Sequence, residues 1–201
     1  MHKIIEQLRK NRILTREEFR EIISTDKYDS DLFMSADEIR QSIYGKDVYI
    51  RGLIEFTNYC KNDCYYCGIR RSNTCISRYR LTEEDILSCC RNGYRLGFRT
   101  FVLQGGEDPA FDEKRLTGLI KIIKTEFPDA ALTLSLGEMS TDVYTSLKQA
   151  GADRYLLRHE AADRSLYERL HPSEMSWSNR RRCIADLKGL GYQTGIGMMI
   201  G

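Results

Sequence analysis

Apolar positions in the first 46 or so residues recur at helical spacing, and the chain there reads as helices. Thr15-Arg16-Glu17-Glu18 is a capping box: the Thr15 hydroxyl can accept from the amide three residues on, and Glu18 can reach back to the cap. Phe19, Ile22 and Ile23 then form an apolar stripe. Ser35-Ala36-Asp37-Glu38 reads as a second cap or as helix interior, with Ile39, Ile43 and Tyr44 on one face and Gly45 as a C-terminal stop. No chemistry is visible in this segment, and its expected job is to cover one end of the domain beyond it. From Val48 the pattern changes to short apolar runs alternating with amphipathic ones. Strands are predicted over 48–56, 100–103, 131–136, 154–157 and 193–200. Helices are predicted over 83–94 (with Thr82 as cap), 113–127 and 141–149, and a broken helical region over 163–190.

Strict alternation of strand and helix implies a parallel sheet, because each right-handed crossover returns the chain to the same edge. The spacing suits an α/β fold of the TIM-type (β/α) barrel kind, truncated after about five strands and preceded by N-terminal helices. The expected division is an N-terminal helical cap over 1–46 and the N-terminal part of a barrel over 47–201. A five-stranded doubly wound sheet is the alternative. The truncated barrel is favoured because the terminal Gly-Met-Met-Ile-Gly would leave strand edges and core unpaired.

Composition narrows the function classes. Among 201 residues, 31 Lys and Arg nearly balance 29 Asp and Glu, for a net charge of +2. That balance gives no argument for nucleic acid or an acidic membrane surface. No apolar run is long enough to span a bilayer, and the start lacks a signal-peptide core, so a cytoplasmic protein is expected. Seven cysteines, an odd number, do not suggest a disulfide framework. Cys75, Cys89, Cys90 and Cys183 are scattered and read as core or surface residues, although Cys75 is near enough to the others to matter.

The chemistry gathers at predicted strand ends. Cys60, Cys64 and Cys67 form a C-x3-C-x2-C run with Tyr66 before the last cysteine. Placed after the first strand, they lie at the mouth where barrel enzymes keep their active sites. Three thiolates can hold three irons of a 4Fe-4S cluster and leave the fourth iron open. Zinc is the rival, but it wants four ligands, and His2, His159 and His171 are distant in sequence. Gly105, Gly106 and Glu107 end the second strand. Glycines there admit close approach of a ligand, and Glu107 could receive a positively charged group; an ordinary tight turn is the plainer reading. Ser135 and Glu138 are polar groups at the end of the third strand. Arg158 and Glu160 emerge at the end of the fourth, on one side if strand alternation continues, with His159 on the other. A structural ion pair is the competing explanation for them. Arg180, Arg181 and Arg182 read as a solvated helix face from which one side chain could turn inward.

Together these residues resemble the radical S-adenosylmethionine superfamily. Asn58 to Cys67 matches its C-x3-C-x-aromatic-C signature, Gly105 to Glu107 its Gly-Gly-Glu motif, and Gly195 to Gly201 is similar to its fifth-strand adenine-binding motif. Within the superfamily the nearer resemblance is to the HydE maturases of FeFe-hydrogenase, carried by IEFTNYCKNDCYYCGIRRSN, RYRLTEEDIL, VLQGGEDP, TLSLGE and ADRYLLRHE. Biotin synthase and methylornithine synthase relatives share these strings in part and are the alternative enzymes; an electron-transfer or metal-binding module is the non-enzymatic one. The resemblance implies a 4Fe-4S cluster on Cys60, Cys64 and Cys67 and reductive cleavage of S-adenosylmethionine to a 5′-deoxyadenosyl radical. It implies that Tyr66, Gly105, Gly106, Glu107, Ser135, Glu160 and Arg180 hold that cofactor, and that Arg158 binds a substrate carboxylate. The partners it implies are a small-molecule or organometallic substrate, a reductant protein of flavodoxin or ferredoxin type and other hydrogenase maturases, with no nucleic acid and no membrane.

Overall fold

The computed structural model describes residues 2–200 and divides between Tyr49 and Ile50 into two compact units. In the first, α1 (Lys3–Asn11), α2 (Arg16–Ile23), a 3-10 turn (Asp26–Tyr28) and α3 (Asp29–Tyr44) surround a small core of Ile5, Ile22 and Tyr28. The capping box at Thr15 forms as expected, with Glu18 N donating to Thr15 Oγ1 at 3.2 Å and Thr15 N to Glu18 Oε2 at 2.8 Å. Ser35 proves to be helix interior, and Gly45 ends α3 at φ +62°. The expected stripes are only partly buried: Ile22 goes inward, whereas Phe19, Ile23, Ile39, Ile43 and Tyr44 stay exposed.

The second unit repeats a strand-helix pattern: β1 (Gly52–Thr57), α4 (Glu83–Arg95), β2 (Thr100–Gly105), α5 (Glu113–Glu126), β3 (Ala131–Ser135), α6 (Thr141–Gln149) and β4 (Arg154–Leu156). It continues with α7 (Arg164–Leu170), α8 (Trp177–Gly189) and β5 (Gln193–Gly195). The strands lie side by side in chain order, β1-β2-β3-β4-β5, and every pair is parallel. A doubly wound sheet would reverse its strand order partway. Sequential order without reversal is barrel winding, so the sheet is part of a (β/α) barrel.

Alternation decides which side chains enter the core. Ile54, Phe56, Phe101, Leu103, Leu132, Leu134 and Tyr155 are buried and pack with Ile86, Leu116, Leu119, Ile120, Tyr144 and Leu187 of the helices. The intervening Leu53, Glu55, Val102, Gln104, Thr133 and Ser135 are more open. At ~25 cal/mol per Å² of buried apolar surface, the helix-facing layer supplies most of the drive to fold.

Four strands are shorter than expected, β3 by a single residue. β1 starts at Gly52 rather than Val48 because its pairing begins at Gly52↔Phe101; Val48 is 84% exposed. β4 stops at Leu156 and β5 at Gly195. Beyond them a single bridge joins Glu160 to Met198, and Glu160 takes φ +62°. Strand alternation therefore does not extend to Arg158, His159 and Glu160.

Candidate active site

Because all five strands run the same way, their C-terminal ends share one rim. Cys60, Cys64 and Cys67 follow β1, Gly106 and Glu107 follow β2, Glu138 follows β3, and Arg158 and Glu160 follow β4. The cysteine loop is closed at its base. Thr57 bridges Arg80, Leu81 N donates to Phe56 O at 2.8 Å, and Asn58 bonds Ser77 and Tyr79 across the neck. Arg78 organises the loop from within. Its guanidinium donates to the carbonyls of Ile69 (2.9 Å), Arg70 (2.6 Å), Asn73 (3.1 Å) and Asn58.

The loop is then clasped to the end of β2. Arg80 meets Asp108 through two parallel bonds of 2.6 and 2.9 Å, the bidentate geometry that makes such pairs specific. The Asp108 side chain is 1% exposed and also accepts from Thr57 Oγ1 at 2.7 Å. Burial pushes its pKa up, but the bonds from Arg80, Thr57 and the Ala110 amide outweigh that and hold it below the usual value. The Arg80 guanidinium also covers the ring of Tyr59 at 3.7 Å, directly before Cys60.

Gly106 lies in close contact with the cysteine loop: a Cβ there would stand 2.2 Å from Tyr59 O and 2.7 Å from Cys60 Cβ. Glu107 is equally confined. Its carboxylate pairs with Lys61 Nζ at 3.2 Å and accepts from Glu138 N at 2.9 Å. Gly137, at φ +78°, leaves the space that a side chain would take from that carboxylate. A cavity of about 170 Å³ opens here, lined in part by Lys61, Gly106, Glu107, Glu138 and Met139.

Arg180 turns inward from α8 and is buried, unlike Arg181 and Arg182, which meet Trp177 and Asp186. Its Nε donates to Glu138 Oε1 at 2.6 Å and its Nη1 to the carbonyl of Arg158 at 2.9 Å. Burial works against its charge, yet Glu138 outweighs that and keeps it protonated. Ser135 closes β3 in register with Gln104, and the Arg158 side chain is exposed.

The three cysteines are free thiols, each half-buried. Burial pushes Cys60 up and Cys64 to about 11, and each feels the charge of its neighbours, Cys67 included. Among the described residues no group of three or more His, Cys, Asp and Glu side chains is already arranged around a single metal ion. Three thiols on one short loop, near enough to feel one another's charge, are a donor set that fits an iron–sulfur cluster. Bound metal would reverse the upward push and hold the thiols deprotonated. Cys75 and Cys89 are exposed and Cys90 and Cys183 buried.

Sequence reasoning missed the segment that faces the cysteines from the other side. Tyr65 N donates to Leu170 O at 3.0 Å, the Tyr66 hydroxyl lies 3.0 Å from His171 Nε2, and Met175 Sδ is 3.4 Å from Cys64 Sγ. It missed Arg78, Arg80 and Asp108 as well. The one signal in the sequence was the group of arginines, Arg70, Arg71, Arg78 and Arg80, that follows the cysteines.

This rim matches a known class. Residues 54–201 match the family model of the radical SAM superfamily, and the chain belongs to that superfamily, whose members use a 4Fe-4S cluster and S-adenosylmethionine. The chain is 44% identical over 201 residues to the [FeFe] hydrogenase maturase subunit HydE of Thermotoga maritima, covering 99% of this chain and 57% of the relative. It is 31% identical over 172 residues to 3-methylornithine synthase of Methanosarcina acetivorans, covering 85% of this chain and 48% of that one. Among solved structures, methylornithine synthase (PylB) superposes with a TM-score of 0.88 at 28% identity, over 99% of this chain and 59% of that one. The chain thus spans about half the length of the curated relatives it matches. Among the described residues no helix is long and apolar enough to cross a membrane.

Proposed function

We propose that this chain carries the cofactor half of a radical S-adenosylmethionine enzyme of the HydE type, acting in assembly of the FeFe-hydrogenase metal centre. The observation that carries the reading is the placement of three free thiols, the Gly106 contact and Glu107 at one rim of a parallel sheet. The 44% identity to the Thermotoga maritima maturase favours that branch over methylornithine and biotin synthases.

When bound, the cluster supplies the electron that splits S-adenosylmethionine into methionine and a 5′-deoxyadenosyl radical. Cys60, Cys64 and Cys67 hold it. Gly105 and Gly106 let the backbone come close to the ligand, and Glu107, fixed by Lys61 and Glu138 N, receives the methionyl amino group. Arg180 has five N–H donors; Nε and Nη1 donate to Glu138 and to Arg158 O, and its remaining donors would hold the ligand carboxylate. Glu160, Tyr66 and Ser135 complete the cofactor contacts, and exposed Arg158 takes the carboxylate of a small or organometallic substrate. The partners proposed are a flavodoxin- or ferredoxin-type reductant and other hydrogenase maturases, in the cytoplasm.

Anaerobic reconstitution tests this. The protein is expected to bind a 4Fe-4S cluster whose electron paramagnetic resonance spectrum changes when S-adenosylmethionine is added, and to release 5′-deoxyadenosine on reduction. Serine at Cys60, Cys64 or Cys67 should abolish all three. Zinc at the site, or a cluster indifferent to S-adenosylmethionine, would defeat the proposal.

A further inference from the structure

Three consecutive residues of the cysteine loop are each met by the connection between α7 and α8. Cys64 Sγ lies 3.4 Å from Met175 Sδ, Tyr65 N donates to Leu170 O at 3.0 Å, and the Tyr66 hydroxyl lies 3.0 Å from His171 Nε2. The connection is itself held in shape. His171 is buried, stacks on the Tyr167 ring with centroids 3.9 Å apart, and brings Nδ1 to 2.8 Å from the Tyr167 carbonyl oxygen. Met175 N closes a turn on Pro172 O at 3.0 Å, and Ser176, the next residue, caps α8 by accepting from Asn179 N at 3.3 Å. The Met175 backbone is thus fixed on both sides, and its side chain reaches the middle cysteine.

On the outer side of this connection lies an open cavity of about 510 Å³, whose wall includes Tyr65, His171, Ser173, Met175 and Trp177. Cys64 is not in that wall. Met175 belongs to the wall and also touches the Cys64 sulfur, so the thioether stands between cavity and thiol. A thioether on an unbranched chain suits that place, because it fills irregular gaps and does not ionise. Two sulfurs at 3.4 Å leave no room for a water or a small solute between them. The packing does not depend on the thiol hydrogen, which leaves when the thiolate binds metal.

We propose that Met175 closes the outer cavity off from the Cys64 sulfur and thereby shields one corner of the cluster from small solutes. Its bearing on the cluster rests on the reading of Cys60, Cys64 and Cys67 as ligands; the closure of Cys64 stands without that reading. The protection is local and belongs to the middle thiol, the one that Met175 touches. It acts by volume and not by charge.

Alkylation of the full chain by iodoacetamide tests the closure, first in the metal-free form, with each cysteine followed by mass spectrometry. In Met175→Ala, Cys64 should react severalfold faster than in the unaltered protein, whereas Cys60 and Cys67 should keep their rates. Met175→Leu, which restores most of the volume without the sulfur, should return Cys64 to its original rate. Ser173→Ala, in the same cavity wall, should change none of the three. After reconstitution, a small iron chelator should strip metal severalfold faster from Met175→Ala than from Met175→Leu. If Met175→Ala does not fold, Met175→Val set against Met175→Leu makes the same comparison. An unchanged Cys64 rate on truncation, an equal rise at all three cysteines, or Met175→Leu reacting as fast as Met175→Ala would overturn the inference. Equal iron loss from the two loaded variants would overturn the shielding of the cluster. Failure of the unaltered protein to bind a four-iron cluster, with the alkylation pattern as expected, would instead overturn the reading beneath it.

Discussion

Gly106 has no room to change. A Cβ at this position would overlap the backbone oxygen of Tyr59, which cannot rotate away as a side-chain tip would. Gly106→Ala is expected to displace the start of the cysteine loop and to cost about 1–3 kcal/mol, the usual range for overpacking. Iron per chain after reconstitution should fall well below that of the unaltered protein, and equal loading would contradict the close-approach argument. Asp108 makes a second case. Its folded-state pKa is held below the unfolded ~3.9, so its contribution to stability is full above that value and is lost as pH falls through the lower, folded one. Asp108→Asn should lower the melting temperature at neutral pH and flatten its decline below about pH 4. A melting curve that falls as steeply with acid as in the unaltered protein would exclude the clasp as the source. That the cysteines, Glu107 and the glycines follow strand ends on one rim was legible in sequence, because that placement is tied to local spacing. Asp108, Arg78 and Arg80 were not, because their partners lie across 28 residues or consist of bare carbonyls that no pattern of side chains reveals.

At the scale of elements, long amphipathic segments were readable to within a residue or two. α5 and α6 begin at the capping residues Asp112 and Ser140, whose side chains accept from Arg115 N and Val143 N. Strand ends were harder to read. Val48 to Ile50 has the composition of a strand, but a strand exists only where a neighbour supplies hydrogen bonds, and β2 begins its pairing at Gly52. At the other end, 193–200 reads as one strand, whereas pairing with β4 stops at Gly195. The region read as broken helix is two helices, α7 and α8, separated by His171 to Ser176, and that break holds His171 against Tyr66 and Met175 against Cys64. A proline at 172 marks the break in sequence, but nothing in sequence says what the break faces.

Over the whole molecule, burial is unevenly distributed. The sheet unit has a continuous core from Ile54 to Tyr192, whereas the first unit rests on Ile5, Ile22 and Tyr28 with a few partly buried neighbours. A core of that size supplies few kcal/mol by itself. Hydrogen exchange on the full chain should therefore show slowest exchange for amides of β2 and β3, and faster exchange throughout α1 to α3. Equal protection in both units would show that the first is stabilised by more than its own interior. The order of strands was legible in the alternation of elements, since consecutive parallel strands joined by single helices have few other ways to wind.

Beneath the turn after β3, the Tyr144 and Tyr155 hydroxyls sit 3.1 and 3.0 Å from the carbonyl of Gly137, and Tyr144 also takes the amide hydrogen of Met139 at 3.0 Å. Between those two points of support stands Glu138, the residue that aims Arg180. Two phenols sealed in apolar surroundings thus act as a foundation for a carboxylate at the rim. Deleting either oxygen should loosen a guanidinium that neither ring touches, so damage inside the hydrophobic interior would be felt first as weakened grip on an anion.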